Sequence, residues 1–589
     1  MTDARFALGI DLGTTNCALS SVAMSDTNER PLPLAIPQTV APGETMADTL
    51  LPSFLYLSAE AERTAGAFAL PWAESKDEVV GTYARKQGSA TPGRLISSAK
   101  SWLSYSGVDR RSEILPWEAP EGVPKMSPLA ASAHYLGHLK AAWDAAHPET
   151  PLTEQDVVLT VPASFDAAAR ELTVDAASQI GLKDNLRLLE EPQAALYAWL
   201  ADKGDAWRDE LTVGDTILVC DIGGGTTDFS LISVQEVEGV LQLERIAVGD
   251  HILLGGDNMD LTLAYTVSAK LEQKGKRLDD WQMRGLVHSC RDAKETLLAD
   301  ASRDTFPLAI ASRGSKLLGG TIRTELTRAE LEATLLEGFF PQVEASARPQ
   351  LPRRMGLTAL GLPYASDAAV TRHLAAFLAR AQNESAMTYP TALLFNGGVT
   401  RSPVIRDRIL TVLNAWAEGA GAAGPRVLEG GHPDLAVSRG AAFYAQSRQQ
   451  GGLRIKGGTA QSYYIGIERN QMAVPGIPPK LDALCIAPFG MEEGTEVSLS
   501  EPFGLYVGEP VSFRFFGSSE RQEDAVGSVV DPAQLSEIAP IETTLDGDED
   551  TVVHVRLHAR VSEVGTLDLS AVDIDSERRW KLSFDVRMD

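Results

Sequence analysis

A short glycine-rich pattern occurs twice in this chain, with Asp11 and Asp221 standing 210 residues apart. The first copy reads Ile10-Asp11-Leu12-Gly13-Thr14-Thr15-Asn16. The second reads Cys220-Asp221-Ile222-Gly223-Gly224-Gly225-Thr226-Thr227-Asp228. Each lies between two apolar runs, Phe6 to Ile10 and Ala18 to Val22 for the first, Ile217 to Cys220 and Phe229 to Ile232 for the second. That predicts strand, tight turn, strand. Glycine lets backbone N–H groups approach phosphate oxygens closely, and threonine hydroxyls add donors. The aspartates supply hard oxygen suited to Mg²⁺ and its waters. One such turn is common in any chain. Two copies with matching Asp and Thr positions predict a duplicated unit gripping one polyphosphate from opposite sides.

The 589 residues exceed one compact domain and suggest about four core-forming units. No apolar run approaches the roughly 18 residues of a membrane helix, and the N-terminus lacks a basic-then-apolar leader. The net charge of −27 argues against nucleic acid as the main partner. Cys17, Cys220, Cys290 and Cys485 are far apart, forming neither a zinc pattern nor a disulfide framework, so a reducing cytoplasm is expected. Cys17 borders the first turn and is read as a small buried strand residue ahead of a redox sensor.

Strands and helices alternate over about the first 450 residues, which predicts an α/β architecture. Val157 to Val161 is a strand, and Asp166 caps a helix running to Gly181. Thr327 with Glu330 forms a capping box for a helix through Phe340. Leu393 to Phe395 is a buried strand leading into Asn396-Gly397-Gly398. Ser402 and Pro403 then open a helix with its apolar face on Ile405, Ile409, Val412, Leu413 and Trp416. Residues 24–49 read as a loop with irregular strand. Ala368 to Gln382 reads as an amphipathic helix, a surface decoration ahead of a partner-docking element. A glycine-rich linker, 451–459, separates this region from 460–589, where helical periodicity disappears. There Tyr463 to Ile467, Val497 to Leu499, Val511 to Phe516, Val552 to Leu557, Thr566 to Val572 and Trp580 to Val586 alternate as strands of a β-sandwich.

Together the paired hairpins, the Gly397-Gly398 loop and the trailing β domain resemble the DnaK-type 70-kDa heat-shock chaperone family. Further segments support the resemblance: Val157 to Arg170, Leu189-Glu190-Glu191-Pro192-Gln193-Ala194-Ala195, Leu254-Gly255-Gly256-Asp257-Asn258-Met259-Asp260, Pro433 to Val437 and Arg439 to Ala442. The resemblance implies an actin-like, two-lobed ATPase with duplicated ribonuclease-H-like lobes over 1–450. Lobe I would take about 1–212 and 400–450, lobe II about 213–399. A small substrate-binding β-sandwich would follow, without the family's helical lid.

It also implies a Mg²⁺-ATP/ADP site. Asp11 and Asp221 would hold the metal through water. Gly13, Thr14, Thr15, Asn16, Gly223, Gly224, Gly225, Thr226 and Thr227 would cradle the phosphates. Glu191 would orient the attacking water, supported by Asp228, Asp11 and Thr226. Gly256, Lys294, Gly397, Gly398, Arg401 and Asp434 would lie along the nucleotide. Pro162 and Arg170 would relay nucleotide state to the β domain. The implied partners are an unfolded or specific client protein, a J-domain co-chaperone and an exchange factor, with no nucleic acid or membrane.

Four departures qualify that expectation. Arg85, in Val80 to Gln87, occupies the place of the family's catalytic lysine, where it could brace a γ-phosphate; Arg and Lys are not equivalent there. The adenosine clamp reads Arg291, Lys294, Glu295, Leu298, with Arg and Glu exchanged so that an ion pair of reversed polarity could form. The linker Gly452-Leu453-Arg454-Ile455-Lys456-Gly457 lacks the acidic, leucine-rich character, and Glu190 stands where an Asn usually precedes the catalytic Glu. The β domain matches weakly, through Phe515-Phe516-Gly517 and Gly565 to Asp573. The expected function is an ATP-dependent chaperone with slow hydrolysis. A non-hydrolysing nucleotide-sensing scaffold and a small-molecule kinase of the same fold remain alternatives.

Overall fold

The computed structural model describes residues 4–582 apart from 26–28, 75–76, 118, 184, 238–239, 311–320, 351–360, 381–388, 450–454, 457, 460, 470–471, 473–478, 493, 509, 547–550, 563–565 and 577. The expected linker glycines 451, 452 and 457, and strand residues 583–586, lie outside the described residues.

The two motif copies seed two sheets built alike. Strand Phe6–Leu12 turns back antiparallel onto Asn16–Ala23 and pairs in parallel with Asp156–Val161, which is followed by Leu186–Glu190. Strand Thr216–Ile222 turns back onto Thr227–Val237 and pairs in parallel with Ala392–Asn396, which is followed by Arg426–Val427. Both hairpins place the motif Asp one residue before the end of the first strand. The duplication read from sequence is therefore a duplication of strand order.

Between the sheets run two helices, Glu191–Lys203 and Ala436–Gln449. They share one core with the inner faces of both sheets, including Val158, Trp199, Val219, Leu394 and Ala441. The outer face of lobe I is covered by Pro128–Ala146 and Ala167–Gln179. Asp166 caps the second of these, its side chain accepting a 2.7 Å bond from the Ala169 N–H. Gly256–Glu272 and Asp280–Ala299 cover lobe II.

Three expectations change. Helix Pro403–Gly419 buries Ile405, Ile409, Val412, Leu413 and Trp416 as read, but in the lobe II core. Strand Arg426–Val427 also joins the lobe II sheet. The chain thus returns to lobe I only at Ala436–Gln449, not at 400. The amphipathic helix is Val370–Arg380 and is not a decoration: Val370, Leu374, Phe377 and Leu378 are core residues, and Phe377 stacks on Phe229 at 5.8 Å. An i, i+4, i+7, i+8 stripe of this kind belongs against a core. Residues 24–49 contain a hairpin, Ile36–Ala41 with Glu44–Asp48.

Residues Thr327 and Glu330 form the reciprocal cap of helix Arg328–Gly338, with the Glu330 N–H donating to Thr327 Oγ1 at 3.2 Å. Thr327→Ala should lower stability by about 1 kcal/mol. A thermal melt showing no shift would remove that cap from the account.

The β domain is a sandwich. One sheet runs Val529–Val530, Leu481–Ala487, Ser462–Glu468, Pro510–Ser518, Ser536–Thr544; the other is organised on Thr551–Val561. Its core is continuous with that of lobe I. The linker strand Ile455–Lys456 pairs in parallel with Val240–Val248, extending the lobe II sheet at its edge. Among the described residues no helix is long and apolar enough to cross a membrane.

Candidate active site

The hairpin tips meet at the floor of a cleft of about 780 Å³ between the lobes. A Cβ on Gly224 would sit 2.0 Å from Thr15 Oγ1, so only glycine allows the two turns to touch. Gly397 adopts φ 82° and packs a would-be Cβ 2.4 Å from the Ile222 carbonyl, which fixes the third loop against the second hairpin. Helix Gly256–Glu272 begins at the same place, its N–H end facing the cleft, an arrangement that favours anions.

Asp11, Gly13, Thr14, Thr15, Asn16, Asp221, Gly223, Gly224, Thr226, Gly256, Lys294, Gly397, Gly398, Arg401, Asp434 and Glu191 all line this cleft. Gly225 instead packs against Thr14, and a Cβ there would approach its Cγ2 to 2.6 Å. Thr227 is fully buried, donating its hydroxyl to the Leu254 carbonyl at 2.8 Å, so it holds the turn that opens the next helix. Asp228 faces Ser164 and His251 at the lobe boundary.

Arg85 and Lys100 both line the cleft. Val80 ends a strand, and Thr82–Ala90 is a helix with Arg85 on the cleft wall. The cation against Glu191 is Lys100, at the start of the short helix Ala99–Ser104. Both side chains are largely buried, 7% and 12% exposed. Burial pulls the Lys100 amine down, but Glu191, Asp11 and Asp228 outweigh it, so Lys100 is held in its charged form. The available sign in the sequence was a lysine set among Ile96, Ala99, Trp102 and Leu103, where an unpaired charge would be costly.

Asp11 and Asp221 respond in the opposite sense. Burial, then the charge of Glu191, pushes the Asp11 carboxyl to about 7, despite nearby Lys100 and a 3.4 Å bond from Thr160. The same causes push Asp221 to about 8, despite a 2.6 Å bond from Asn396 Nδ2. Two half-buried carboxylates that resist ionisation in a negatively charged cleft suit a hard divalent cation. Among the described residues no three His, Cys, Asp or Glu side chains converge as a metal-binding group. Several buried polar atoms of the cleft wall have no hydrogen-bond partner: Thr15 Oγ1, Asn396 Oδ1, Arg291 Nη1 and Ser402 Oγ. Polar atoms left unmet in a cleft are prepared for a polar ligand.

The exchanged clamp does not form the reversed pair. Arg291 turns to Asp257 and to Asp260, the latter at 2.8 Å, and Lys294 bonds Asp260 at 2.7 Å and the Gly256 carbonyl at 2.9 Å. Arg401 pairs with Asp434 at 2.9 Å across the rim.

Behind Glu191, its neighbour Glu190 is buried between two arginines. Arg170 Nη2 donates to Glu190 Oε1 at 2.8 Å, and Arg245 Nη1 to Glu190 Oε2. The other Arg245 Nη donates to the carbonyls of Gly458 and Thr459, both at 3.0 Å, where the linker enters the β domain. Arg170 therefore points into the interior, against Glu190, rather than to solvent. All four cysteines are buried and free, and burial pushes the Cys17 thiol to about 12, which suits the structural reading.

The Hsp70 protein family model matches residues 7–351, more than half of the chain. A chaperone protein HscA homolog of Haemophilus influenzae is 31% identical over 310 residues, 51% of this chain and 43% of its own length. A chaperone protein HscA of an Enterobacter species is 32% identical over 320 residues, 52% and 44%. An HscA homolog of Bordetella pertussis is 29% identical over 453 residues, 75% and 58%. The chain thus spans about half the length of the curated relatives it matches. With the duplicated lobes, the cleft and that match, this chain belongs to the Hsp70 family.

Proposed function

We propose that this protein is an ATP-dependent chaperone-type ATPase that binds Mg²⁺-ATP or ADP between its lobes, hydrolyses ATP slowly and couples the nucleotide state to client binding by the β domain. The observation that carries the reading is the buried Lys100–Glu191 pair set between Asp11 and Asp221 at the crossing of the hairpins. Phosphoryl transfer needs mainly positioned groups and neutralised charge, and this cleft supplies both.

In this reading the hairpin N–H groups with Thr14, Thr15 and Thr226 bind phosphate oxygens. Asp11 and Asp221 hold the water shell of Mg²⁺, which supplies charge neutralisation when bound. Lys100 stabilises the developing negative charge. Glu191, held by Lys100, orients the attacking water. Arg401, Asp434, Lys294 and Gly398 bracket the nucleoside. Arg85, on the cleft wall, closes over the phosphates rather than replacing the lysine. The match to Hsp70-family chaperones, with Lys100 paired to Glu191 in the cleft, supports turnover over a non-hydrolysing scaffold. A cytoplasmic setting, a J-domain co-chaperone and an exchange factor belong to the same reading, as does a client with an extended segment. The test is phosphate release from Mg-ATP by the purified chain, absent in Asp221→Ala.

Asp11 and Asp221 give this reading a pH signature. Below about 7 and about 8 the ligand-free site holds protons that the cation must displace. Mg²⁺-dependent nucleotide affinity should therefore rise from pH 6 to pH 8.5 and then level. Stability of the ligand-free chain has the opposite sign, because a raised carboxyl binds more protons folded than unfolded: it falls as pH rises from about 4 to 8. Affinity that is flat or falls across pH 6–8.5 would separate these carboxylates from the metal.

A further inference from the structure

Asp228 follows the second phosphate hairpin, yet its partners come from both lobes. Its Oδ1 accepts a 2.8 Å hydrogen bond from Ser164 Oγ, and His251 Nδ1 stands 3.2 Å from both atoms. Ser164 lies in lobe I, in the turn between strand Asp156–Val161 and helix Ala167–Gln179. Asp228 and His251 lie in lobe II, where the bridge between Thr227 and Ile252 holds His251 beside Asp228. Phe165 of lobe I packs edge-on against the His251 ring at 5.7 Å. The Asp228 and His251 side chains are only 12% and 13% exposed.

We propose that Ser164 and His251 are positioning residues that clasp Asp228 across the lobe boundary, so that closure of the lobes and placement of Asp228 for turnover are one event. The proposal rests on the reading of the cleft as an ATPase. Its physical basis is direct. Ser164 has a single O–H, and it is committed to a carboxylate of the other lobe. His251 can donate to the same oxygen only as the Nδ1–H tautomer, and that tautomer leaves no donor unmet at Nε2, which is buried without a partner. A rotation that opens the cleft at its floor must lengthen the Ser164–Asp228 contact, so the clasp distinguishes two lobe arrangements. The charge it orients reaches the cleft, favouring ionised Lys100 and opposing ionised Asp221.

The test compares Ser164→Ala, Ser164→Thr and His251→Asn with the parent in the full chain. Single-turnover ATP hydrolysis, Mg-ADP affinity and the distance between one spin label on each lobe are measured together. In Ser164→Ala the hydrolysis step should fall about ten- to a hundredfold, as for a misplaced catalytic group. Mg-ADP affinity should stay within about twofold, since ground-state binding does not use the clasp. The inter-lobe distance distribution should broaden. Ser164→Thr, which keeps the hydroxyl, should restore rate and distance, and His251→Asn, which keeps an N–H donor, should fall between. Parental rate with an unchanged distribution in Ser164→Ala overturns the clasp. So does equal loss of rate and affinity that Ser164→Thr fails to rescue. If the parent itself releases no phosphate, the ATPase reading fails, and the distance distribution alone decides the clasp: broadened in Ser164→Ala supports it, unchanged rejects it.

Discussion

Lys100→Met should reduce ATP turnover by about a hundredfold or more, the scale of removing one preorganised electrostatic contact to a transition state. Lys100 lies largely buried against Glu191 and near Asp11 and Asp228, and in the proposed reading it stabilises the developing negative charge. Nucleotide binding should survive, because the hairpin backbones and the Arg401–Asp434 rim are untouched. Since Met leaves Glu191 buried without its partner, Lys100→Arg provides the control: charge retained, geometry altered, turnover still strongly reduced. Arg85→Ala should cost no more than about tenfold, as for a residue that contacts the ligand without sharing the reacting centre. Parental turnover in Lys100→Met, or an Arg85→Ala defect as large as that of Lys100→Met, would return the catalytic place to Arg85.

The second large effect is expected at Glu190. Its carboxylate holds Arg170 and Arg245 in a site where the three side chains are 5%, 11% and 0% exposed. Breaking such a buried set by removing one partner costs about 3–5 kcal/mol, because the remaining charges lose their compensation. Arg245, on the lobe II strand Val240–Val248, also fastens the Gly458 and Thr459 carbonyls, so the loss should appear first as release of the β domain from the lobes. Glu190→Gln should raise the radius of gyration in small-angle scattering and expose the chain at Gly458 and Thr459 to protease, with nucleotide binding retained. Arg245→Lys keeps the charge but loses the fork that reaches both carbonyls, and should release the domain without the full stability loss. An unchanged radius of gyration in both variants would mean that docking depends on the shared apolar core instead. Glu190 and Glu191 are consecutive, one facing the linker and the other the cleft, so movement of the linker has a one-residue path to the residue that orients water.

Local chemistry made much of this readable beforehand. The glycine hairpins announce themselves because a tight turn, close backbone approach and flanking strands all leave marks in adjacent residues. Duplication, the Thr327–Glu330 box and the apolar stripe from Ile405 to Trp416 were legible for the same reason. Lys100 was not, because the resemblance pointed to Arg85 in Val80 to Gln87, while the contact of Lys100 with Glu191 joins residues 91 apart and leaves no local mark. The lobe boundary was misread because Pro403–Gly419 has the same apolar stripe whichever sheet it covers; only strand order decides. The Glu190–Arg245 pair spans 55 residues, and the Ser164–Asp228–His251 set spans both lobes, so neither has a local signature. Arg291 was set against Glu295 by the resemblance to the family's adenosine clamp, but Asp257 and Asp260 of the facing helix compete for it and are better placed.

Calorimetric titration of the purified chain with Mg-ATP and Mg-ADP, with phosphate release followed in the ATP sample, tests the central claim most directly. Binding at micromolar concentration or tighter with slow release of phosphate is expected, both lost in Asp221→Ala. No binding of either nucleotide by the intact chain would contradict it.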